Sequence, residues 1–146
     1  MKIAITGHRP ERLLSREGEV KEWARESIRK YKGSDFLCGM ARGVDQIGAL
    51  AAIAEKIKLH CYFPYKHKLS DMEQFLVDKA DEVIWCEDKY SGPDCYFKRD
   101  RRMVDDCDLL LVVWDGIESG GTYYTYKYAV EKGKDVVIFP WKDNND

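Results

Sequence analysis

Four short stretches of this chain carry residue types that suit the capture of a phosphate-bearing ligand. The first is Thr6-Gly7-His8-Arg9-Pro10. Gly7 lets the backbone turn sharply and approach a phosphate, and Arg9 offers a planar, permanently charged fork that matches phosphate oxygens. His8 is the best-placed general base in the chain, and equally well a residue whose hydrogen bond orders the loop. The second stretch is Cys38-Gly39-Met40-Ala41-Arg42-Gly43-Val44-Asp45, where Gly39 and Gly43 flank Arg42 just before a helical pattern. Free N–H groups at a helix start attract anions, and Asp45 in the first turn either caps that helix or binds a ribose hydroxyl.

The third stretch runs from Trp114-Asp115-Gly116 to Ser119-Gly120-Gly121-Thr122, at the opening of the last long helical pattern. Gly120, Gly121 and Thr122 make a second phosphate or sugar platform, beside which Asp115 can read a sugar hydroxyl. The fourth is Phe63-Pro64-Tyr65, in which the Tyr65 ring either stacks on a base or packs under its own loop. Each stretch alone also reads as ordinary turn chemistry. Together they are more telling, because the three glycine-bearing turns all follow strand-like runs. His8, Asp45 and Asp115 are the catalytic candidates. His60 and His67 have no evident partner, and spacing assembles no Ser-His-Asp or Cys-His grouping.

Other chemistries are not indicated. The chain lacks Gly-x-x-x-x-Gly-Lys-Ser/Thr and Gly-x-Gly-x-x-Gly, so neither P-loop hydrolysis nor NAD redox chemistry is expected. Cys38, Cys61, Cys86, Cys95 and Cys107 have no zinc-site spacing and read as free thiols; no metal and no cofactor is expected. Lys98-Arg99-Asp100-Arg101-Arg102 is the one basic run. On a helix Lys98, Arg101 and Arg102 share a face while Arg99 points elsewhere, so one side can reach the ligand while another pairs with Asp105 or Asp106, and for most of the run a solvated face is the favoured reading.

The elements that must hold these stretches alternate along the chain. Strands are expected at Lys2 to Thr6, Asp35 to Cys38, Lys58 to Phe63, Glu82 to Cys86, Asp108 to Trp114 and Asp135 to Phe139. Helices are expected at about Arg16 to Lys32, Val44 to Lys56, Ser70 to Ala80, Asp94 to Asp105 and Thr122 to Lys132. Ser70 and Glu73 form a capping box, residues 87–93 are the longest connection and a candidate lid, and the polar tail 142–146 is expected to fray. Uniformly apolar strands alternating with helices predict a mainly parallel sheet covered on both faces, a Rossmann-like three-layer α/β/α sandwich. In such a sheet ligands bind at the carboxyl ends of the strands, where the four stretches fall.

The 146 residues fit one nucleotide-binding domain, 1–146, with 45% apolar and 34% charged residues. Their 24 basic and 26 acidic residues leave a net charge of −2, which argues against a nucleic-acid partner. No apolar run approaches the roughly 20 residues of a membrane span, so no membrane partner and a cytoplasmic location are expected.

Thr6 to Pro10, Gly39 to Asp45, Met103-Val104-Asp105-Asp106-Cys107-Asp108 and Gly120 to Thr122, in this order, resemble the SLOG superfamily and within it the YpsA-like branch. The middle motif is also similar to that of the DNA-processing DprA proteins. The resemblance implies a Rossmann-like domain that recognises nucleotides, nucleotide-derived or ADP-ribose-like molecules or, in the DprA branch, single-stranded DNA. It implies a ligand site lined by Gly7, Arg9, Gly39, Arg42, Gly43, Asp45, Gly120, Gly121 and Thr122, and self-association into a homo-oligomer. The related LOG enzymes cleave a base from ribose 5′-phosphate, using a glutamate in the helix after the glycine-threonine turn. This chain has Tyr123-Tyr124-Thr125-Tyr126-Lys127 there, and its first acid is Glu131, more than two turns along. A binding or sensing role is therefore the leading expectation, with nucleoside-monophosphate N-glycosidase activity and single-strand binding as alternatives.

Overall fold

The computed structural model describes residues 1–142. The tail expected to fray lies, from residue 143 onward, outside the described residues. Six parallel strands form one sheet: β1 (Lys2–Gly7), β2 (Asp35–Cys38), β3 (Lys58–Phe63), β4 (Glu82–Trp85), β5 (Leu109–Val113) and β6 (Asp135–Ile138). Their spatial order is β4-β3-β2-β1-β5-β6. Six helices join them: α1 (Pro10–Leu13), α2 (Glu17–Lys30), α3 (Val44–Ala54), α4 (Asp71–Lys79), α5 (Asp94–Asp106) and α6 (Gly121–Glu131). The fold is Rossmann-like α/β.

β5 is apolar at every position and β1 and β2 at most of theirs, yet the side chains still sort by the two-residue period of a strand. Ile3, Ile5, Phe36, Leu59, Leu109 and Leu111 are buried on the face covered by α2, α3 and α4. Ala4, Leu37, Tyr62, Leu110 and Val112 are buried on the other, with Met103 and Val104 of α5 and Ala129 of α6. Each fully buried Leu or Ile contributes roughly 1.5–3 kcal/mol of burial free energy, so both helical layers are held by the same strands.

Chain direction follows from this division. The first four strands step outward from β1 to β4. α5 then carries the chain back across the opposite face, so that β5 pairs with β1 on its other side. The strand order therefore reverses between β1 and β5, and a crevice opens at the carboxyl ends of these two strands.

Local signals account for most element ends. The Ser70 hydroxyl accepts from Glu73 N–H at 3.2 Å while the Glu73 carboxylate accepts from Ser70 N–H at 2.8 Å, completing the capping box of α4. The short helix α1 is absent from the sequence reading. Pro10 opens it, its fixed φ suiting the first position of a helix. Among the described residues all five cysteines are free, and no helix is long and apolar enough to cross a membrane.

Candidate functional site

The crevice at the β1–β5 reversal holds a cavity of about 470 Å³. β1 and its following loop supply Thr6, Gly7, His8 and Arg9; α1 supplies Glu11 and Arg12; α3 supplies Asp45. α5 adds Tyr96, Phe97, Arg99 and Asp100, and the start of α6 adds Gly121 and Thr122. A smaller cavity of about 190 Å³ adjoins it, sharing Arg9, Ala41, Tyr96 and Arg99 and adding Gly39 and Tyr65. Of the residues singled out by sequence, Gly7, His8, Arg9, Asp45, Gly121 and Thr122 thus meet around the larger space, and Gly39 and Tyr65 around the smaller.

One wall is the N-terminus of α6. No side chain caps this helix, and its first turn closes with Tyr124 N–H on the Gly120 carbonyl at 3.1 Å. The N–H groups of Gly121, Thr122 and Tyr123 therefore have no intrahelical acceptor, which makes this end attractive to an anion. His8 orients the Thr122 hydroxyl. Asp115 N–H donates to His8 Nε2 at 3.0 Å, and burial lowers the imidazole pKa below its ordinary value although Asp115 opposes this. The neutral ring then carries its proton on Nδ1, which lies 3.4 Å from Thr122 Oγ1. Thr122 receives that proton as an acceptor and keeps its own hydroxyl hydrogen for a ligand in the cavity.

His8 and Asp115 are thereby committed to one another. Asp115 also accepts from Arg12 Nη2 at 2.6 Å and from Ile117 N–H at 3.0 Å. Burial works to raise its pKa, but Ile117, Arg12 and His8 together take it below the ordinary carboxylate value. Asp115 lines neither cavity; it buttresses the wall that His8 and Arg12 present. Arg9 is exposed and, among the described residues, forms no salt bridge, so its guanidinium faces both cavities uncommitted.

The floor is a buried charge cluster. Arg99 is 6% exposed; its Nε donates to Asp100 Oδ1 at 2.8 Å, and its Nη1 donates to the Gly39 carbonyl. The Thr125 hydroxyl lies 3.2 Å from the second Asp100 oxygen. Burial raises the Asp100 pKa against the pull of Arg99. Asp45, 7% exposed, accepts from Ala41 N–H at 3.1 Å. Burial pushes its carboxyl up to about 7, with Arg99 opposing and the charge of Asp100 adding. Asp45 thus accepts from the loop before α3 rather than capping the helix's own N–H groups, and near neutral pH it can hold or release a proton.

The glycine-rich turn before α3 is built differently from that before α6. Val44 N–H donates to the His8 carbonyl at 3.1 Å. Gly43 has φ +92°, and a Cβ there would run into the His8 carbonyl and lie 2.8 Å from Arg9 Cα. A Cβ on Gly39 would lie 3.0 Å from Asp45 Oδ2 and 3.1 Å from Arg99 Nε. Like α6, α3 has no side-chain cap, but the first of its N–H groups is taken by the neighbouring loop, and Gly43 locks two loops together. Arg42 is exposed and pairs with Glu11 at 3.1 Å. Arg42, Gly43 and Gly120 line neither cavity.

No protein-family model matches the chain, and no curated protein matches its sequence. Solved structures do match. DNA processing protein A from Streptococcus pneumoniae superposes with TM-score 0.79 at 17% identity, over 99% of this chain and 52% of that one. DNA processing protein A from Helicobacter pylori gives 0.74 at 19% identity, over 99% of this chain and 67% of that one. The molybdenum cofactor binding protein from Rippkaea orientalis gives 0.66 at 18% identity, over 94% and 74%. The chain shares their fold. It spans about half the length of the pneumococcal DprA chain, and the shared fold is the one that the SLOG resemblance implies.

This likeness corrects one expectation. A net charge of −2 argued against nucleic acid as a partner, yet the Helicobacter pylori DprA structure is described by its single-stranded DNA binding mode. Net charge sums the whole surface, whereas a nucleic-acid site depends on the few cations at one cleft, so near-neutrality excludes nothing here. Sequence reading set Arg99 apart from the face of Lys98, Arg101 and Arg102 but did not mark it as buried, and gave Asp100 no role. The signal was present: Cys95, Arg99 and Met103 recur every four residues, and all three are buried.

Proposed function

We propose that the crevice between β1 and β5 binds a phosphate-bearing, nucleotide-derived ligand. The observation that carries this reading is the uncapped N-terminus of α6, which lines a cavity of about 470 Å³ together with the unpaired Arg9. Backbone N–H groups and the Thr122 hydroxyl donate to phosphate oxygens, Arg9 neutralises their charge, and Asp45 on the floor offers an acceptor for a sugar hydroxyl. The similar proteins named for single-stranded DNA and for a molybdenum cofactor support ligand capture in general without naming one ligand. A nucleic-acid strand presents a phosphodiester and a free nucleotide a phosphomonoester, and the non-bridging oxygens of either can accept from the same N–H donors. Native mass spectrometry of protein purified from cells tests the reading. A retained phosphate-containing mass that is lost in Arg9→Ala supports it; a retained mass without phosphorus contradicts it.

One observation favours a second reading, cleavage of an N-glycosidic bond. Asp45 lines the cavity with its carboxyl pushed up to about 7, as a group that passes a proton to a departing base requires. Asp45 is better placed for this than His8 or Asp115, which are held by each other. Incubation with nucleoside monophosphates, followed by chromatography for free base, separates the readings. Base release that Asp45→Asn abolishes establishes cleavage, and no release across the panel leaves a binding site alone.

A further inference from the structure

The smaller cavity has a character of its own. Its outer wall is aromatic. Tyr65 from the loop after β3 and Tyr96 from the first turn of α5 line it, Tyr90 from the loop after β4 packs against both from outside the lining, and the rings meet edge to face or tilted. Centroids lie 5.3 Å apart for Tyr65 and Tyr90, 6.3 Å for Tyr65 and Tyr96, and 6.5 Å for Tyr90 and Tyr96. His67 extends the cluster 5.3 Å from Tyr65, and Phe63 lies behind it. Tyr90 and Tyr96 remain 51% and 37% exposed. Three separate segments thus bring large rings to one rim, where Tyr90 and Tyr96 keep exposed surface. Arg9 and Tyr96 line both cavities, so the aromatic space continues directly from the one that holds the α6 N-terminus.

The two spaces have complementary chemistry. The larger presents backbone N–H groups, a hydroxyl, an unpaired guanidinium and carboxyls, which suit phosphate and sugar. The smaller presents π-faces beside that guanidinium, which itself stacks on planar rings. We infer that the smaller cavity, walled by Tyr65 and Tyr96, is a subsite for the nucleobase of a ligand whose phosphate lies at the start of α6. This rests on the phosphate reading above and adds where the base goes. It applies equally to a free nucleotide and to one nucleotide of a single strand, because both join a planar base to a phosphate by one sugar.

Titration calorimetry with four probes separates the parts. Ribose 5-phosphate reports on the phosphate and sugar space alone. AMP and TMP add a purine or pyrimidine, and a short oligothymidylate adds the strand. At least one base-bearing probe is expected to bind about 10- to 100-fold tighter than ribose 5-phosphate, the gain typical of stacking one base on an aromatic ring. Tyr65→Ala and Tyr96→Ala are each expected to erase that gain, Tyr65→Ala, whose ring lines only the smaller cavity, leaving ribose 5-phosphate affinity unchanged, and Tyr96→Phe, which keeps the ring, to retain it. A gain seen already with AMP or TMP identifies a free-nucleotide site; one seen only with oligothymidylate identifies a strand site. Base-bearing probes no tighter than ribose 5-phosphate overturn the base subsite and leave the phosphate reading standing, as does a gain that survives both alanine variants. Failure of all four probes to bind overturns both.

Discussion

The turns before α3 and α6 look alike as sequence: glycines, then a helix whose first turn carries a polar side chain. In the folded chain they do opposite things. The first N–H of α3 is taken by its neighbour, with Val44 N–H on the His8 carbonyl and Gly43 pressed against the loop after β1. The start of α6 has no cap and opens into the cavity, where nothing lies within 4 Å of a Cβ placed on Gly121. A glycine-rich helix start is thus an anion site only if no other part of the chain already uses its N–H groups. The first turn builds the wall, and the second leaves donors free.

The comparison breaks most sharply at its glycines. Gly43→Ala is expected to destabilise the protein by about 3 kcal/mol or more, since it adds both a positive-φ penalty and a backbone clash. Gly121→Ala is expected to fall within about 0.5 kcal/mol of the parent. Urea denaturation of both variants checks this, and equal losses would erase the distinction between the turns.

The arginines give the next effect. Removing Arg9 is expected to weaken a phosphate ligand by about 1–3 kcal/mol, the cost of losing a charge-assisted hydrogen bond, whereas Arg42→Ala, exposed and paired with Glu11, is expected to change affinity by less than about 0.5 kcal/mol. Calorimetry on both variants measures the contrast.

Smaller effects follow from titration, and the two sides of the cavity have opposite signs. Burial holds the folded His8 below its ordinary pKa of 6.5, so the unfolded chain binds more protons in that window. The stability His8 contributes is present above about pH 6.5 and is lost as pH falls through its lower folded pKa. Asp45, raised from 3.8 to about 7, contributes stability that is full below 3.8 and is lost as pH rises through 7. Thermal melts should show Asp45→Asn gaining on the parent between pH 5 and pH 8, and His8→Gln gaining on it between pH 7 and pH 5. A difference from the parent that does not vary with pH would remove the titration argument for that residue.

The strands and long helices were legible because burial on both sheet faces demands apolar runs, which a sequence displays directly. The positions of Gly7, His8, Arg9, Gly121 and Thr122 at one crevice were legible too, since parallel strands bring their carboxyl ends to one edge. The use of each turn was not. Gly43 and Gly121 differ in what approaches them from elsewhere in the fold, and no local pattern records that. Arg99 was obscured by its charged neighbours, although its four-residue spacing from Cys95 and Met103 marked the buried stripe. The commitment of Asp115 to His8 and Arg12 joins residues more than a hundred positions apart and becomes visible only with the fold.

The most direct test titrates ribose 5-phosphate into the parent protein, Arg9→Ala and Arg42→Ala. Binding to the parent, weakened about 10-fold or more in Arg9→Ala and unchanged in Arg42→Ala, is the predicted result. Binding that depends on Arg42 and not on Arg9 would place the ligand at the start of α3 and contradict the account.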